Sequence, residues 1–297
     1  MGGGAWTTSS YNSYTTATRG MSAADFANAS FDTSQVYTTH FLDPMLDPKN
    51  VIRECCDSDE HPNTIPVILA LDVTGSMGGA ARAVAQQLNQ IMTDVYDTVE
   101  DVEFCTMAIG DLSYDDAPIQ ISQFESDIRI ADQLDKVYFE GGGGGNSWES
   151  YTAAWYFALN RTKLDCHKRG RKGIIITMGD EPLNPYLPAG KLSRVLGITI
   201  QADIDTTALY KEVIEKFDVY HISIDDSETS YGRYEYRGAL QSWKDLLGDH
   251  YIVSNCNMLP KTIADIISNA SAGTDTAPVN AKSAEPFLRD DNGFITW

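Results

Sequence analysis

Ile65–Leu71 is an unbroken apolar run of seven residues, and it constrains the fold more than any other stretch of the chain. A segment so short and so apolar reads as a strand covered on both faces, as in a parallel sheet with a helical layer on each side. Its one proline, Pro66, stands at the start, where a strand tolerates a missing amide proton. Val102–Ile109, Gly173–Met178, Val219–Ile224 and His250–Ser254 read as further strands. Between them Ala80–Val95, Ile128–Phe139, Glu149–Leu159, Thr207–Phe217, Ala239–Leu247 and Pro260–Ile267 read as helices. In the first of these, Val84, Leu88, Ile91, Met92 and Val95 share one face. The alternation predicts one α/β domain with a doubly wound, mostly parallel sheet flanked by helices, over residues 62–270.

The flanks have a different texture. Residues 1–61 are polar and punctuated, with Leu-Asp-Pro occurring twice (Leu42-Asp43-Pro44 and Leu46-Asp47-Pro48). They read as an N-terminal arm, either mobile or strapped over the domain through Trp6, Tyr11, Phe31 and Phe41. Residues 271–297 read as a polar tail until Phe287 and Trp297.

Charge narrows the function. Among 297 residues, 42 Asp+Glu outnumber 22 Lys+Arg, leaving a net charge of −20. Such a chain is repelled by nucleic acids and anionic membranes, and suits cations or basic partners better. No apolar run approaches the ~18 residues of a membrane helix, and no secretory signal is visible. Five cysteines without any C-x-x-C fit a reduced, cytoplasmic protein.

In doubly wound folds, ligands bind where loops leave the carboxyl ends of the strands. Three such loops carry unusual residues. The first, Asp72-Val73-Thr74-Gly75-Ser76-Met77-Gly78-Gly79, offers a carboxylate and two hydroxyls at alternate positions. The second runs through five glycines, Gly141 to Gly145, into Asn146-Ser147-Trp148-Glu149. The third, Gly179-Asp180-Glu181-Pro182, places a second carboxylate at another strand end. Together they form an oxygen-only donor set suited to a hard cation such as Mg²⁺, and the lack of His or Cys disfavours zinc.

Asp72-x-Thr74-x-Ser76 after a buried strand resembles the metal-ion-dependent adhesion site of von Willebrand factor A domains, whose first motif is Asp-x-Ser/Thr-x-Ser. That family's second contribution, a Thr or Asp in a glycine-flanked loop, is matched in place by Asn146. Its third, an Asp after the fourth strand, is matched by Asp180. The wording Asp-Val-Thr-Gly-Ser-Met and Gly-Asp-Glu-Pro looks most like free-standing bacterial and phage members. Two positions depart from the pattern: Asn146 replaces Thr or Asp, leaving Ser147 and Glu149 as substitutes, and Glu181 replaces a common Gly. The resemblance implies Mg²⁺ (or Mn²⁺) held by Asp72, Thr74, Ser76, Asn146 and Asp180. It further implies no catalysis, and an adaptor or assembly role in which the metal captures an Asp or Glu of a partner protein. Some intracellular members of the family act beside AAA+ ATPases.

The competing reading is a hydrolase or phosphotransferase at the same strand ends. Thr74-Gly75-Ser76-Met77-Gly78 approaches a nucleophile elbow, with Asp180 or Asp225 and His221 or His250 following in order. Thr74 occupies the position where an elbow needs Gly. A phosphotransferase using Asp72 would lack its second Asp, since Thr74 stands there. No P-loop motif is present, and the glycine run lacks the spacing of a dinucleotide fingerprint. Asp111, Asp115 and Asp116 read as a solvated acidic loop near the same edge, or as modulators of a cation. The basic run Arg161–Lys172 reads as a soluble helix end or an acidic-partner dock. Cys55-Cys56 reads as structural, and Trp148 as a possible contact residue.

Overall fold

The computed structural model describes residues 4–141, 148–225 and 235–273, without the side chains of 235–240. Asn146, Ser147, most of the glycine run and the tail beyond 273 lie outside the described residues. The strands are β1 (Arg53–Cys55), β2 (Ile65–Asp72), β3 (Val102–Ile109), β4 (Ile119–Ile121), β5 (Thr162–Leu164), β6 (Gly173–Gly179), β7 (Tyr186–Leu187), β8 (Ile204–Asp205), β9 (Phe217–Ile224) and β10 (Tyr251–Ser254). The helices are α1 (Thr8–Arg19), α2 (Ala23–Asn28), α3 (Thr33–Val36), α4 (Gly78–Gln86), α5 (Leu88–Tyr96), α6 (Arg129–Leu134), α7 (Thr152–Asn160), α8 (Ala189–Leu196), α9 (Thr206–Val213), α10 (Glu235–Leu247) and α11 (Leu259–Ala272).

Six strands make the central sheet in the order β10-β9-β6-β2-β3-β4. All neighbours are parallel except β3 and β4, which pair antiparallel at one edge. The predicted doubly wound α/β architecture is therefore the observed one. Its apolar runs are explained by the two-residue period of a strand. Val67, Leu69 and Leu71 face a core shared with α4, α5 and α11. Ile68 and Ala70 face a second core with α7, α8 and α9. With both faces covered, no position of β2 is left for a polar side chain until Asp72.

The chain passes from β2 to β3 on one side and later returns to β6 on the other, so the strand order reverses between β2 and β6. Asp72 ends β2 and Asp180 follows the end of β6. Both candidate carboxylates thus flank the crevice where doubly wound sheets bind ligands.

Several element boundaries differ from the sequence expectation. The predicted helix Ala80–Val95 is two helices that meet at Gln87, a turn with φ −99 and ψ 11. Ile128–Phe139 yields only the six residues of α6. Glu149 and Ser150 stay in a loop ahead of α7. The short strands β1, β4, β5, β7 and β8 carry no long apolar run and were not predicted.

The N-terminal segment is helical and held down. Thr7 caps α1 by accepting the Ser10 amide, and Gly20 closes that helix in the left-handed conformation at φ 70. Trp6 and Tyr11 are buried and Phe31 packs against the same core, as the strapped alternative expects. Phe41 does not take part; it is 66% exposed. Hydrogen bonds complete the attachment: Tyr37 Oη donates to Ala81 O at 2.9 Å, and Gln86 Nε2 to Phe26 O and Ala29 O at 2.8 Å each. Among the described residues no helix is long and apolar enough to cross a membrane.

Candidate functional site

Asp72 is fully buried, and the strand period turns its side chain toward the α7 face. Its Oδ1 accepts the Thr74 amide at 2.8 Å and the Thr74 hydroxyl at 2.6 Å. Its Oδ2 accepts the hydroxyl of Tyr151 at 2.7 Å. The Thr74 proton is thereby committed to Asp72, which leaves lone pairs on Thr74 Oγ1 free for a cation. Ser76, exposed on the short helical turn Gly75–Met77, donates to Asp180 Oδ1 at 3.1 Å. Loops one and three therefore touch, bringing Asp72, Thr74, Ser76 and Asp180 into one place.

The electrostatics are those of surplus negative charge. Burial pushes the Asp72 carboxyl up, and Asp180 adds to that rise against the donors Thr74 and Tyr151. Burial raises Asp180 as well, with Ser76 opposing. Glu149 is buried, its Oε2 has no hydrogen-bond partner, and its acidity is suppressed first by burial and then by Asp72, Asp115, Asp111 and Glu181. Asp111 is buried with Oδ2 unpartnered. Asp115, half-buried, is raised to about 6 by burial, with Glu140, Asp111 and Asp116 adding to it. The expected solvated acidic loop is thus only partly solvated. Among the described residues, none of Asp72, Asp111, Glu149 or Asp180 is ion-paired. Nor do three His, Cys, Asp or Glu side chains there converge tightly enough to cage a metal unaided.

The donor chemistry fits a hard cation in a hydroxyl-rich site that uses few carboxylates and retains water. Buried carboxylates without a counter-charge are costly, and a divalent ion would relieve that cost. Asn146 lies outside the described residues, while Glu149 of the same loop reaches the field of Asp72. Tyr151 is the residue of the candidate site that no sequence motif singles out. Its ring does pack in the core, and no pattern in the sequence separates a core tyrosine from one whose hydroxyl reaches a carboxylate.

The other candidates are accounted for elsewhere. His221 lies buried, with Nδ1 at 2.9 Å from Thr177 Oγ1, and His250 Nδ1 lies 3.0 Å from Val219 O. Neither hydrogen-bonds to Ser76. Four of the six cations of the basic run pair within the chain: Arg169 with Asp57, Lys168 with Asp165, Lys163 with Glu54 and Lys172 with Asp218, while Arg171 donates to Ser271 O. Cys55 and Cys56 are buried and unpaired, and Trp148 is half-buried.

Fold and site together define an α/β protein with an acidic, hydroxyl-bearing crevice at the switch point of its sheet. No protein-family model and no curated protein matches the chain. Among solved structures it is similar to the pilus adhesin SpaC from Lactobacillus rhamnosus GG, at 12% identity and a TM-score of 0.49, over 76% of this chain and 31% of that one. It is also similar to the vWF domain of the type V pili tip protein Mfa5 from Porphyromonas gingivalis (12% identity, TM-score 0.44, 71% of this chain and 96% of that one). BatB from Bacteroides thetaiotaomicron is a third (14% identity, TM-score 0.42, 70% and 99%). The chain spans about a third of the length of SpaC. TM-scores below 0.5 do not assign a family, so the architecture stands on its own strand order.

Proposed function

We propose that the chain is a divalent-cation-dependent protein-binding module that uses this crevice to capture a carboxylate of a partner, without catalysis. The observation that carries the reading is the Ser76–Asp180 hydrogen bond beside the buried Asp72, which no Lys, Arg or His among the described residues pairs. Thr74, Ser76 and Asp180 would hold Mg²⁺ or Mn²⁺, with Asp72 orienting the Thr74 hydroxyl and Asn146 or Glu149 contributing from the second loop. A cation held mainly by neutral oxygens and water keeps net positive charge, and a partner Asp or Glu completes its shell. The protein side chains fix the hydroxyls and exclude water from behind, through Asp72 and Tyr151.

Calorimetric titration with MgCl₂ and MnCl₂ tests the reading. Heat of binding in the wild type and none in Asp180→Ala supports it; equal null titrations in both remove it. A pull-down with and without EDTA then tests whether partner capture follows the metal. The hydrolase alternative predicts labelling of Ser76 by a serine-directed probe. The hydrogen bond of Ser76 to Asp180, with no histidine on its hydroxyl, supports binding over turnover.

A further inference from the structure

We propose that Tyr151 is a positioning residue of this crevice, which sets the separation of its two carboxylate loops and so its preference among cation sizes. The inference rests on the cation-binding reading above and adds a residue to it.

Four observations converge on the Tyr151 hydroxyl. It is the donor to Asp72 Oδ2, whereas among the described residues Oδ1 is held only by Thr74, two residues away on the same loop. The same oxygen accepts the Glu181 amide at 3.3 Å, so one atom ties the loop after β2 to the loop after β6. The third observation concerns space. A Cβ at Gly179 would stand 2.1 Å from Tyr151 Oη, closer than any real Cβ contact. Gly179 is not in the positive-φ region, so the glycine serves clearance and not backbone conformation. The fourth is support from behind. The Tyr151 ring meets His221 and Trp243 edge-on at 5.4 and 5.6 Å, and Trp243 Nε1 donates to Glu181 O at 3.1 Å. Glu181 is therefore held by its amide on Tyr151 and by its carbonyl on Trp243.

A phenylalanine would fill the same aromatic stack. The hydroxyl adds a fixed strut between Asp72 and the backbone next to Asp180, the two sides of the crevice. Mg²⁺ demands oxygens at about 2.0–2.1 Å in near-octahedral order, while Ca²⁺ accepts about 2.3–2.6 Å and looser geometry. A strut that holds two loops at fixed separation matters more to the smaller ion. Groups that orient metal ligands typically contribute 10–100-fold to affinity.

The experiment is calorimetric titration of wild type, Tyr151→Phe and Gly179→Ala with MgCl₂ and, separately, CaCl₂, alongside thermal unfolding in EDTA to confirm folding. Tyr151→Phe is expected to lower Mg²⁺ affinity about 10–100-fold and Ca²⁺ affinity by clearly less, with Gly179→Ala shifting the ratio in the same direction. Mg²⁺ affinity within twofold of wild type in a folded Tyr151→Phe overturns the positioning role while leaving the metal site standing. Equal losses for both ions overturn the size-selecting role. A wild type that binds neither ion overturns the metal reading and this inference with it.

Discussion

The two ends of the central sheet treat acidic residues in opposite ways. At the end where the strands begin, carboxylates are matched with donors and cations. Asp57 takes Arg169 and both the amide and hydroxyl of Thr64. Asp101, itself in the left-handed region at φ 58, holds His61 Nδ1 at 3.2 Å and the Asn63 amide at 3.1 Å. Asp127 binds Arg129. Glu103 is the exception, buried with Oε2 unpartnered. At the end where the strands finish, Asp72, Asp111, Glu149 and Asp180 have no ion-pair partner among the described residues. Stability alone would select the first arrangement everywhere. Natural proteins depart from it chiefly at functional or strained sites.

The largest expected effect comes from neutralising the centre of the surplus. Asp72→Asn is expected to abolish the Mg²⁺ response seen by calorimetry. In EDTA the same variant is expected to unfold at a higher temperature than wild type, with roughly 2–4 °C for each kcal/mol gained in a domain of about this size. A lower midpoint in EDTA would mean that the buried charge is not costing stability, and the contrast between the ends would fail. Arg169→Ala, at the paired end, is expected to lose about 1–2 kcal/mol by urea denaturation, the low side because both charges keep some solvent. That loss should be the same with Mg²⁺ or EDTA.

A smaller effect is expected for Glu149→Gln: a modest rise in the EDTA midpoint and a reduced gain on adding Mg²⁺. An unchanged Mg²⁺ gain would remove Glu149 from the site. The smallest effect is a pH dependence. Asp115 has a folded pKa of about 6, above the ordinary carboxylate range near 3.9. Its contribution is therefore full below the unfolded value and lost as pH rises through 6. Asp57, held below the ordinary range by Thr64 and Arg169, contributes above the unfolded value and loses that contribution as pH falls through its depressed folded value. Unfolding midpoints in EDTA across pH 4–7 should fall less steeply in Asp115→Asn than in wild type; parallel curves would contradict this.

The core strands were legible because burial on both faces leaves a sequence mark that needs no partner to interpret. β2, β3, β6 and β9 all carry it, whereas the edge strand β10 is buried at alternate residues only. Helix α1 was not legible, since it buries only Tyr11 and Thr15 and is otherwise polar. The break between α4 and α5 contains no Gly or Pro. It falls beside Gln86 and Gln87, whose side chains donate to carbonyls of the N-terminal segment at Phe26, Ala29 and Ala27. Those are tertiary contacts that no local pattern encodes. Of the candidate site, the proximity of Asp72, Thr74, Ser76 and Asp180 was legible because strand ends advertise themselves. Tyr151 was not, because its role depends on a hydroxyl crossing between loops far apart in sequence.

The attachment of the N-terminal segment has a practical side. Gly4 O accepts from Ser126 Oγ at 2.7 Å and lies 2.9 Å from His61 Nε2, while Thr33 Oγ1 reaches Gly78 O at 2.9 Å. The segment is thus fastened near the start of the sheet and again at the first turn of α4, directly after the Asp72–Ser76 loop. A load applied ahead of residue 4 is therefore taken up first at Ser126 and His61, at the far end of the sheet, before it can reach Thr33 and the turn behind the crevice. A fusion or affinity handle at that end pulls on the sheet's origin and leaves the loop from Asp72 to Ser76 unloaded, which makes it the suitable end for surface capture.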